Sequence, residues 1–199
     1  MAKPAVEWKG DGLYARRREL YARAAPVFRR HGYRGTTLKA LARACGLSIP
    51  ALYRYFPSKK AFALFPLVAL YPELHEPPPD AGGDPLALLA GWVTAAAAEM
   101  PNYTLALRLA RDAGLTAEEE RRVEANLASH VTVLAAIARR AVPRLDAGAA
   151  EELASSMISV AVGPASSGLA TDPDTLRRQL TRLLRGYGVA LPKQPPGTR

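Results

Sequence analysis

Apolar side chains recur at helical spacing in the first part of the chain, with basic side chains between them. Between residues 13 and 31, the apolar residues share one face of a helix with 3.6 residues per turn; they are Leu13, Leu20, Ala24, Val27 and Phe28. We assign the arginines of this segment to the rest of the helix surface; they are Arg16, Arg17, Arg18, Arg23, Arg29 and Arg30. The pattern predicts an amphipathic first helix that ends at Gly32.

Three short helices are predicted to follow. The second helix is capped by Thr36 or Thr37 and ends at Gly46, Ser48 caps the third, and a fourth begins at Lys59. Two short helices joined by a tight Gly-Leu-Ser corner match a helix-turn-helix, because glycine accepts the positive φ that such a corner requires. The apolar residues at helical spacing in the second helix are Leu38, Leu41, Ala42 and Cys45. The residues expected to point inward and hold the two helices together are Leu38, Leu41, Leu52 and Phe56.

Two prolines are expected to disturb these helices. Pro26 lies within the first helix and Pro66 within the fourth. A proline in a helix interior removes one backbone hydrogen bond and collides with the preceding turn. We therefore expect the first helix to be kinked or to end irregularly at Pro26, and the fourth helix to be interrupted at Pro66.

The rest of the chain also has helical periodicity, so the predicted fold class is all-α. The segment YPELHEPPPDAGGDP, which contains His75, is rich in proline and glycine and is typical of a loop. The long helix after Thr116 carries an apolar stripe that includes His130. The predicted helices run from Pro85 to about Met100, from Pro101 to about Ala113, from Thr116 through Val142, over 146–170 with a break or bend at Gly163-Pro164, and over 173–190.

The charge is concentrated at one end of the chain. The 199 residues carry a formal net charge of +9. Residues 1–65 contain 14 Lys or Arg against three acidic residues, whereas residues 66–199 contain 13 against 15. This distribution favours a nucleic-acid-binding head on a nearly neutral body. An ordinary solvated arginine face is the alternative, because basic patches are only the electrostatic footprint of such binding.

Several other classes of protein are disfavoured. No uninterrupted apolar run reaches the roughly 18 residues of a membrane span, and the opening MAKPAVEWKGDG lacks the apolar stretch of a secretory signal, so we expect a cytoplasmic protein without membrane contact. The single cysteine and three scattered histidines argue against a disulfide and a metal site. An enzyme is the alternative class, but no nucleophile elbow, phosphate-binding loop or metal-ligand spacing occurs. We therefore expect no catalytic residue and no cofactor.

Residues 32–62, GYRGTTLKALARACGLSIPALYRYFPSKKAF, resemble the DNA-binding domain of the TetR family of one-component transcriptional regulators. The resemblance covers residues 13–65, about a third of the chain. The matching features are Gly32-Tyr33, Thr36-Thr37, Leu41-Ala42, Gly46-Leu47-Ser48, Leu52-Tyr53, Tyr55-Phe56 and Ser58-Lys59. Lys60 departs from the family, which commonly has an acidic residue there, and we expect it to attract phosphate.

The resemblance implies a set of DNA contacts on the second and third helices. Arg54 and Lys39 can donate to guanine, whereas Ile49 can touch a thymine methyl group. The tyrosines could instead be packing residues, and Arg54 a solvated surface residue. The positions implied to meet DNA are Thr37 and Lys39 at the second helix, Ser48 at the corner, Ile49, Pro50, Ala51 and Arg54 facing bases, and Tyr53, Tyr55 and Lys59 facing the backbone.

The resemblance also implies a domain organisation and two further partners. It divides the chain into a flexible arm (1–12), the helix-turn-helix domain (13–65), a helical ligand-binding and dimerisation domain (66–190) and a disordered tail (191–199). The last two helices would form a homodimer that binds a pseudo-palindromic operator in double-stranded DNA. A small hydrophobic effector would contact residues of the body, unless these are plain core or the protein has no effector. The residues are Trp92, Met100, Tyr103, His130 and Met157.

Overall fold

The computed structural model describes residues 12–68, 84–166 and 172–191. Over these ranges the chain is all-helical, and no strand occurs in them. The helices are α1 (Gly12–Gly35), α2 (Leu38–Cys45), α3 (Ile49–Tyr55), α4 (Lys59–Ala63), α5 (Phe65–Val68), α6 (Pro85–Ala113), α7 (Ala117–Ala141), α8 (Ala147–Ser166) and α9 (Pro173–Gly186). The predicted arm at 1–12 except Gly12, the proline-rich loop with His75, residues 167–170 of a predicted helix and the tail from residue 192 lie outside the described residues.

α1 is interrupted at Gly32, where the sequence predicts the end of the first helix, and continues to Gly35. Gly32 interrupts α1 with a φ of 64° and a ψ of −176°, which is not helical. Gly32 is the only position within α1 with non-helical torsions, so the irregular end predicted at Pro26 is wrong. Pro26 and Ala22, the residue whose carbonyl loses its partner, are both exposed. A water molecule can therefore donate to the Ala22 carbonyl in place of the N–H that Pro26 lacks.

The chain divides into two compact units by its internal contacts. The first combines Met1–Glu73 with Leu105–Asn126, and the second combines Leu74–Thr104 with Leu127–Arg199. The predicted division at residue 65 is linear, whereas these units interleave along the sequence. That division into functional domains stays a prediction.

The core of the first unit is built around aromatic rings. The ring of Phe62 stacks on Phe56 with 3.9 Å between centroids and meets Tyr21 and Phe28 edge-on at 6.1 and 5.8 Å. Such pairs add to the free energy gained by burying large apolar side chains. The predicted core is confirmed apart from Leu13, which is 42% exposed, and Leu38 and Val27, which are partly buried. The confirmed members are Leu20, Ala24, Phe28, Leu41, Ala42, Cys45, Leu52 and Phe56.

Two of the predicted proline effects differ from the observed helices. α6 is a single helix with Pro101 inside it, so the prediction of two helices meeting at that residue is wrong. The fourth predicted helix is interrupted, but at Leu64, whose φ of −88° and ψ of −3° separate α4 from α5. Pro66 cannot donate to the carbonyl of Phe62, and it lies in the first turn of α5, where a helix does not need that N–H. The interruption therefore falls two residues before the proline.

The last three helices begin close to their predicted starts. Thr116 and Glu119 exchange hydrogen bonds at the start of α7, from the Thr116 N–H to the carboxylate at 2.8 Å and from the Glu119 N–H to the hydroxyl at 3.2 Å. This is a capping box. α8 runs through Gly163-Pro164 without the predicted break. α9 ends at Gly186 rather than residue 190, and Val189 N–H closes it on the Leu184 carbonyl at 2.9 Å.

Candidate nucleic-acid interface

The corner between α2 and α3 has the geometry that the sequence predicts. Thr37 rather than Thr36 caps α2, and its hydroxyl accepts the Ala40 N–H at 3.1 Å. Gly46 follows α2 with a φ of 66° and a ψ of 31°, a left-handed conformation that favours glycine. The Leu47 N–H then bonds the Ala42 carbonyl at 2.9 Å. These contacts end α2 and turn the chain directly into α3.

The helix α3 is capped at its start and buried on one side only. The Ser48 hydroxyl accepts the Ala51 N–H at 3.3 Å. Leu52 is buried, and Phe56 directly after the helix lies in the aromatic core. The opposite side carries Tyr53 and Arg54, which are exposed. The core thus fixes one face of α3 and leaves the other face open.

Large apolar side chains stand out on this open face. Among the described residues, the large hydrophobic side chains that are exposed are those of Leu13, Ile49 and Tyr53. Ile49 is 38% and Tyr53 43% exposed, and the two lie one turn apart on α3. Exposed apolar groups clustered with polar ones mark surfaces that contact a partner. Beside Arg54 they offer both apolar and hydrogen-bonding contacts to base edges.

The residues predicted to meet DNA differ in how far they are exposed. The half-buried ones are Ala51, Tyr55 and Lys59. The exposed ones are Thr37, Lys39, Ser48, Ile49, Pro50, Tyr53 and Arg54. The exposed set lies on α2, the corner and α3, which are consecutive elements of the first unit. Their contacts with DNA stay predictions.

Tyr55 has structural contacts on its inner side. Its ring packs partly against the aromatic core, and its side chain hydrogen-bonds Arg16 of α1. The hydrogen bonds that the Arg16 guanidinium donates to Glu19, and then to Tyr55, raise the pKa of Arg16. The role of Tyr55 in packing is therefore observed, whereas its predicted contact with the DNA backbone is not tested.

The ammonium of Lys59 is engaged within the first unit. Its Nζ donates to the backbone carbonyls of Tyr33 at 2.9 Å and Thr36 at 3.0 Å. It also lies 4.3 Å from the centroid of the Tyr33 ring, a distance at which cation and ring attract each other. Lys59 thus ties the start of α4 to the segment between α1 and α2. Its predicted phosphate contact would use only the remaining N–H.

Lys60 forms an ion pair that the sequence did not indicate. Its Nζ lies 2.5 Å from a carboxylate oxygen of Glu119 at the start of α7. Burial raises the pKa of Glu119, but the hydrogen bonds from Lys60 and Thr116 together lower it by more. The pKa of Glu119 therefore lies below its ordinary value. The expected free cation for phosphate is therefore paired inside the protein. The departure of Lys60 from the family is accompanied by an acidic partner on another helix.

Arg17 is the residue of this interface that sequence reasoning misplaced. It was assigned to the solvated surface of the first helix, but it is only 4% exposed. Its Nε donates to the carbonyl of Tyr55, the last residue of α3, at 2.9 Å. The signal was present in the sequence, because Arg17 precedes Leu20 and Tyr21 by three and four residues. These spacings place it on the apolar face of α1.

The residues predicted to contact an effector lie in the second unit. All are buried, and His130 and Met157 are fully so. Burial raises the pKa of Tyr103 to about 12, so its hydroxyl stays protonated in the folded protein. The set comprises Trp92, Met100, Tyr103, His130 and Met157. Its members share one unit, and their contact with a ligand stays a prediction.

The described part of the chain has neither a candidate membrane span nor a candidate metal site. None of its helices combines the length and the apolar character needed to cross a membrane. Within the same residues, no three or more His, Cys, Asp or Glu side chains are grouped so that they could hold a metal ion.

Comparisons with known proteins agree with this geometry. Residues 20–64 match the family of bacterial regulatory proteins named tetR. No curated protein matches the sequence significantly. The crystal structure of the TetR-family regulator PfmR from Thermus thermophilus is 26% identical, with a TM-score of 0.52, over 83% of this chain and 97% of that one.

Two further crystal structures share the fold. A TetR/AcrR-family regulator from Thermobifida fusca is 21% identical with a TM-score of 0.56, over 87% of this chain and 98% of its own. FadR from Bacillus subtilis, solved with stearoyl-CoA, is 16% identical with a TM-score of 0.54, over 86% and 97%. At these identities the likeness concerns the fold.

The capped corner, the half-buried α3 and its open face define a DNA-binding protein of the helix-turn-helix class. Its N-terminal segment is similar to the tetR family of bacterial regulatory proteins over residues 20–64, and its fold is similar to that of the TetR-family regulator PfmR.

Proposed function

We propose that the protein is a ligand-responsive repressor that binds a pseudo-palindromic DNA operator as a homodimer in the cytoplasm. The observation that carries this proposal is the open face of α3, where Ile49, Tyr53 and Arg54 project away from a helix held by its caps and its core contacts. In the helix-turn-helix class the second helix lies in the major groove and reads base edges. α3 has the length and exposure for that role.

The charge of the N-terminal segment supports DNA as the partner. Residues 1–65 have a large excess of Lys and Arg over acidic residues. Such an excess attracts the phosphate backbone without regard to sequence and makes affinity fall steeply with salt. Base-specific contacts from α3 would add selectivity to this general attraction.

The proposed homodimer would form through α8 and α9. α9 buries Leu176, Leu180 and Leu184 and leaves Leu183 and Tyr187 half-buried. A second copy could cover these two residues and the small exposed side chains of α8, in a four-helix bundle. Two copies of α3 would then meet successive major grooves, about 34 Å apart.

The proposed effector is a small hydrophobic molecule that binds among the buried residues of the second unit. His130 and Tyr103 would supply polar contacts within an otherwise apolar wall. Binding would favour a conformation in which the two recognition helices no longer match the groove spacing, so the operator would be released. Because the FadR structure contains stearoyl-CoA, acyl-CoA thioesters are suitable first probes.

The test begins with an operator isolated by repeated selection from random double-stranded DNA. Replacing Arg54 by alanine is expected to weaken operator binding by about 1–3 kcal/mol and to relax the preference for one base pair in each half-site, as expected when a bidentate contact to guanine is lost. Fluorescence anisotropy with labelled operator measures the affinity, and a second selection measures the preference.

The matched control is Arg139→Ala, which removes the same charge from an exposed position on α7. It should leave both affinity and preference nearly unchanged. Equal losses in the two variants, or full binding by Arg54→Ala, would contradict the proposed recognition helix. Lys59 is unsuitable for this purpose because its removal would also break its contacts with Tyr33 and Thr36.

The second candidate function is DNA binding without an effector, and the third is that of a helical enzyme. To test for an effector, the operator complex is titrated with fatty acids and acyl-CoA thioesters of increasing chain length. Release by one chain length, lost in a Met157→Lys variant that still binds operator, would support a ligand site. Failure of all of these compounds to change binding favours the second candidate.

A further inference from the structure

The recognition helix is too short to be stable by itself. α3 has seven residues, about two turns, whereas isolated helices shorter than roughly 12 residues are marginal in water. Its direction must therefore be fixed by contacts at both ends and along its buried side. At the start these are the Ser48 cap and the Gly46 corner. Along the side, Leu52 is buried in the core.

The contact at the other end of α3 comes from α1. The Nε of Arg17 donates to the carbonyl of Tyr55 at 2.9 Å, across 38 positions of sequence. The last carbonyls of a helix have no partner within the helix, so a side-chain donor satisfies a group that would otherwise need water. A positive charge at this end also complements the helix dipole.

The burial of Arg17 makes this contact specific. The side chain is 4% exposed, whereas its neighbours Arg16 and Arg18 lie on the outer part of the same helix. Placing a guanidinium in the interior is costly unless its donors find acceptors. Burial lowers the pKa of Arg17, but an arginine stays charged at any physiological pH. At 4% exposure Arg17 also offers little surface to a phosphate.

We infer that Arg17 is a positioning residue for DNA recognition, which fixes the C-terminal end of α3 and thereby the direction in which Tyr53 and Arg54 point. The inference rests on the proposed function in one respect, namely that α3 reads DNA. It assigns the role to a residue that does not touch the DNA itself.

Removing the charge of Arg17 has different effects on DNA binding if Arg17 contacts phosphate and if it positions α3. A residue that contacts phosphate contributes to the salt dependence of binding, and its loss lowers the slope of log affinity against log salt by about 0.9. A positioning residue contributes to the affinity for the operator but leaves that slope unchanged. Its loss should also make the backbone of α3 exchange its amide protons faster.

The experiment compares the variants Arg17→Gln and Arg17→Lys with the unmodified protein and with the variant Arg23→Gln. Arg23→Gln is a matched control because it removes the same charge from an exposed position of α1. Glu19, the ion-pair partner of Arg23, stays paired with Arg16 in this variant. Affinity for the selected operator and for unrelated DNA is measured at several salt concentrations. Amide hydrogen exchange is followed over α2 and α3.

Arg17→Gln should bind the operator about tenfold or more weakly than Arg23→Gln, which is the loss expected for a hydrogen bond from a charged donor. The salt slope should match that of Arg23→Gln, and exchange should accelerate for residues 52–56 with α2 unchanged. Arg17→Lys, which keeps the charge and one donor, should be intermediate. If Arg17→Gln does not fold, the same comparison is made with Arg17→Lys.

Operator affinity and α3 exchange equal to those of Arg23→Gln would overturn the inference. So would a smaller salt slope with unchanged exchange, because that pattern identifies a phosphate contact. If the unmodified protein does not distinguish the operator from unrelated DNA, the proposed function fails. In that case the exchange comparison still decides whether Arg17 fixes α3.

Discussion

At the scale of single residues, buried polar side chains in the first unit serve backbone carbonyls. Arg17 reaches Tyr55, the Thr36 hydroxyl reaches Gly32 at 2.6 Å, and the Asn126 amide reaches Leu67 at 3.1 Å. Each of these carbonyls lies at or near the end of a helical segment or a kink. A side-chain donor there replaces water that the packed core excludes.

Cys45 gives a direct test of the packing around α2. Its Sγ lies 3.4 Å from the Leu20 carbonyl, and burial raises its pKa to about 11 although Arg23 and Arg16 lower it slightly. The thiol therefore stays protonated at pH 8, where an unfolded cysteine with a pKa of about 8.5 is partly ionised. We expect a disulfide reagent to label the folded protein about 100-fold more slowly than the urea-unfolded protein.

The chain has a single cysteine, so the reaction reports this position alone. A stepwise urea series should show the labelling rate rising together with the loss of helical circular dichroism. Rapid labelling of the folded protein would contradict the core packing described for α1 and α2.

Sequence reasoning succeeded at positions where one local rule decides the outcome. The caps Thr37 and Ser48 and the left-handed Gly46 follow from residue type and spacing alone. The partners of Arg17 and Lys60 could not be obtained in this way, because Tyr55 and Glu119 lie 38 and 59 residues away. Only the tertiary fold brings such pairs together.

At the scale of elements, two polar contacts attach the first half of α7 to α4 and α5. They are the ion pair between Lys60 and Glu119 and the hydrogen bond from Asn126 to the Leu67 carbonyl. All four residues belong to the first unit. The short helices α4 and α5 are thus fixed by partners far along the chain rather than by their own length.

The ion pair predicts a pH-dependent stability. Because the pKa of Glu119 is lowered in the folded protein, its contribution is present above the ordinary pKa of glutamate and is lost as the pH falls through the folded value. Glu119→Gln keeps the capping box, in which glutamine can also serve, but removes the charge. We expect it to lower the free energy of unfolding at pH 7 by about 1 kcal/mol.

Urea unfolding at pH 7 and at pH 3 measures this difference, which should shrink at the lower pH. Glu120→Gln, an exposed neighbour on the same helix turn, is the control and should change little at either pH. A destabilisation by Glu119→Gln that stays the same at both pH values would show that the charge is not responsible.

The proline predictions show where local rules for elements end. Pro101 was expected to separate two helices, but α6 continues through it. Pro66 was expected to interrupt a helix, and an interruption is found next to it. The same residue type is thus found in two settings, since Pro101 lies in the interior of α6 whereas Pro66 lies in the first turn of α5, where its missing N–H costs no helical hydrogen bond.

At the scale of the whole molecule, the charge and the fold divide differently along the sequence. The basic excess lies in residues 1–65, whereas the first compact unit also includes Leu105–Asn126. The boundaries of this unit lie inside α6 and α7, so each of these helices contributes to both units. Periodicity predicted helical structure in both segments, although it divided α6 at Pro101. It gave no information on which unit each part would join, because that depends on contacts between distant segments.

DNA reading by α3 in a symmetric dimer is tested most directly by repeated selection of random double-stranded DNA with the unmodified protein. The mass of the resulting complex is determined by light scattering. We expect two inverted half-sites with centres one helical turn, about 10 base pairs, or a multiple apart, bound by an even number of protein chains. Selection that enriches no sequence, or a complex containing one chain, would contradict this expectation.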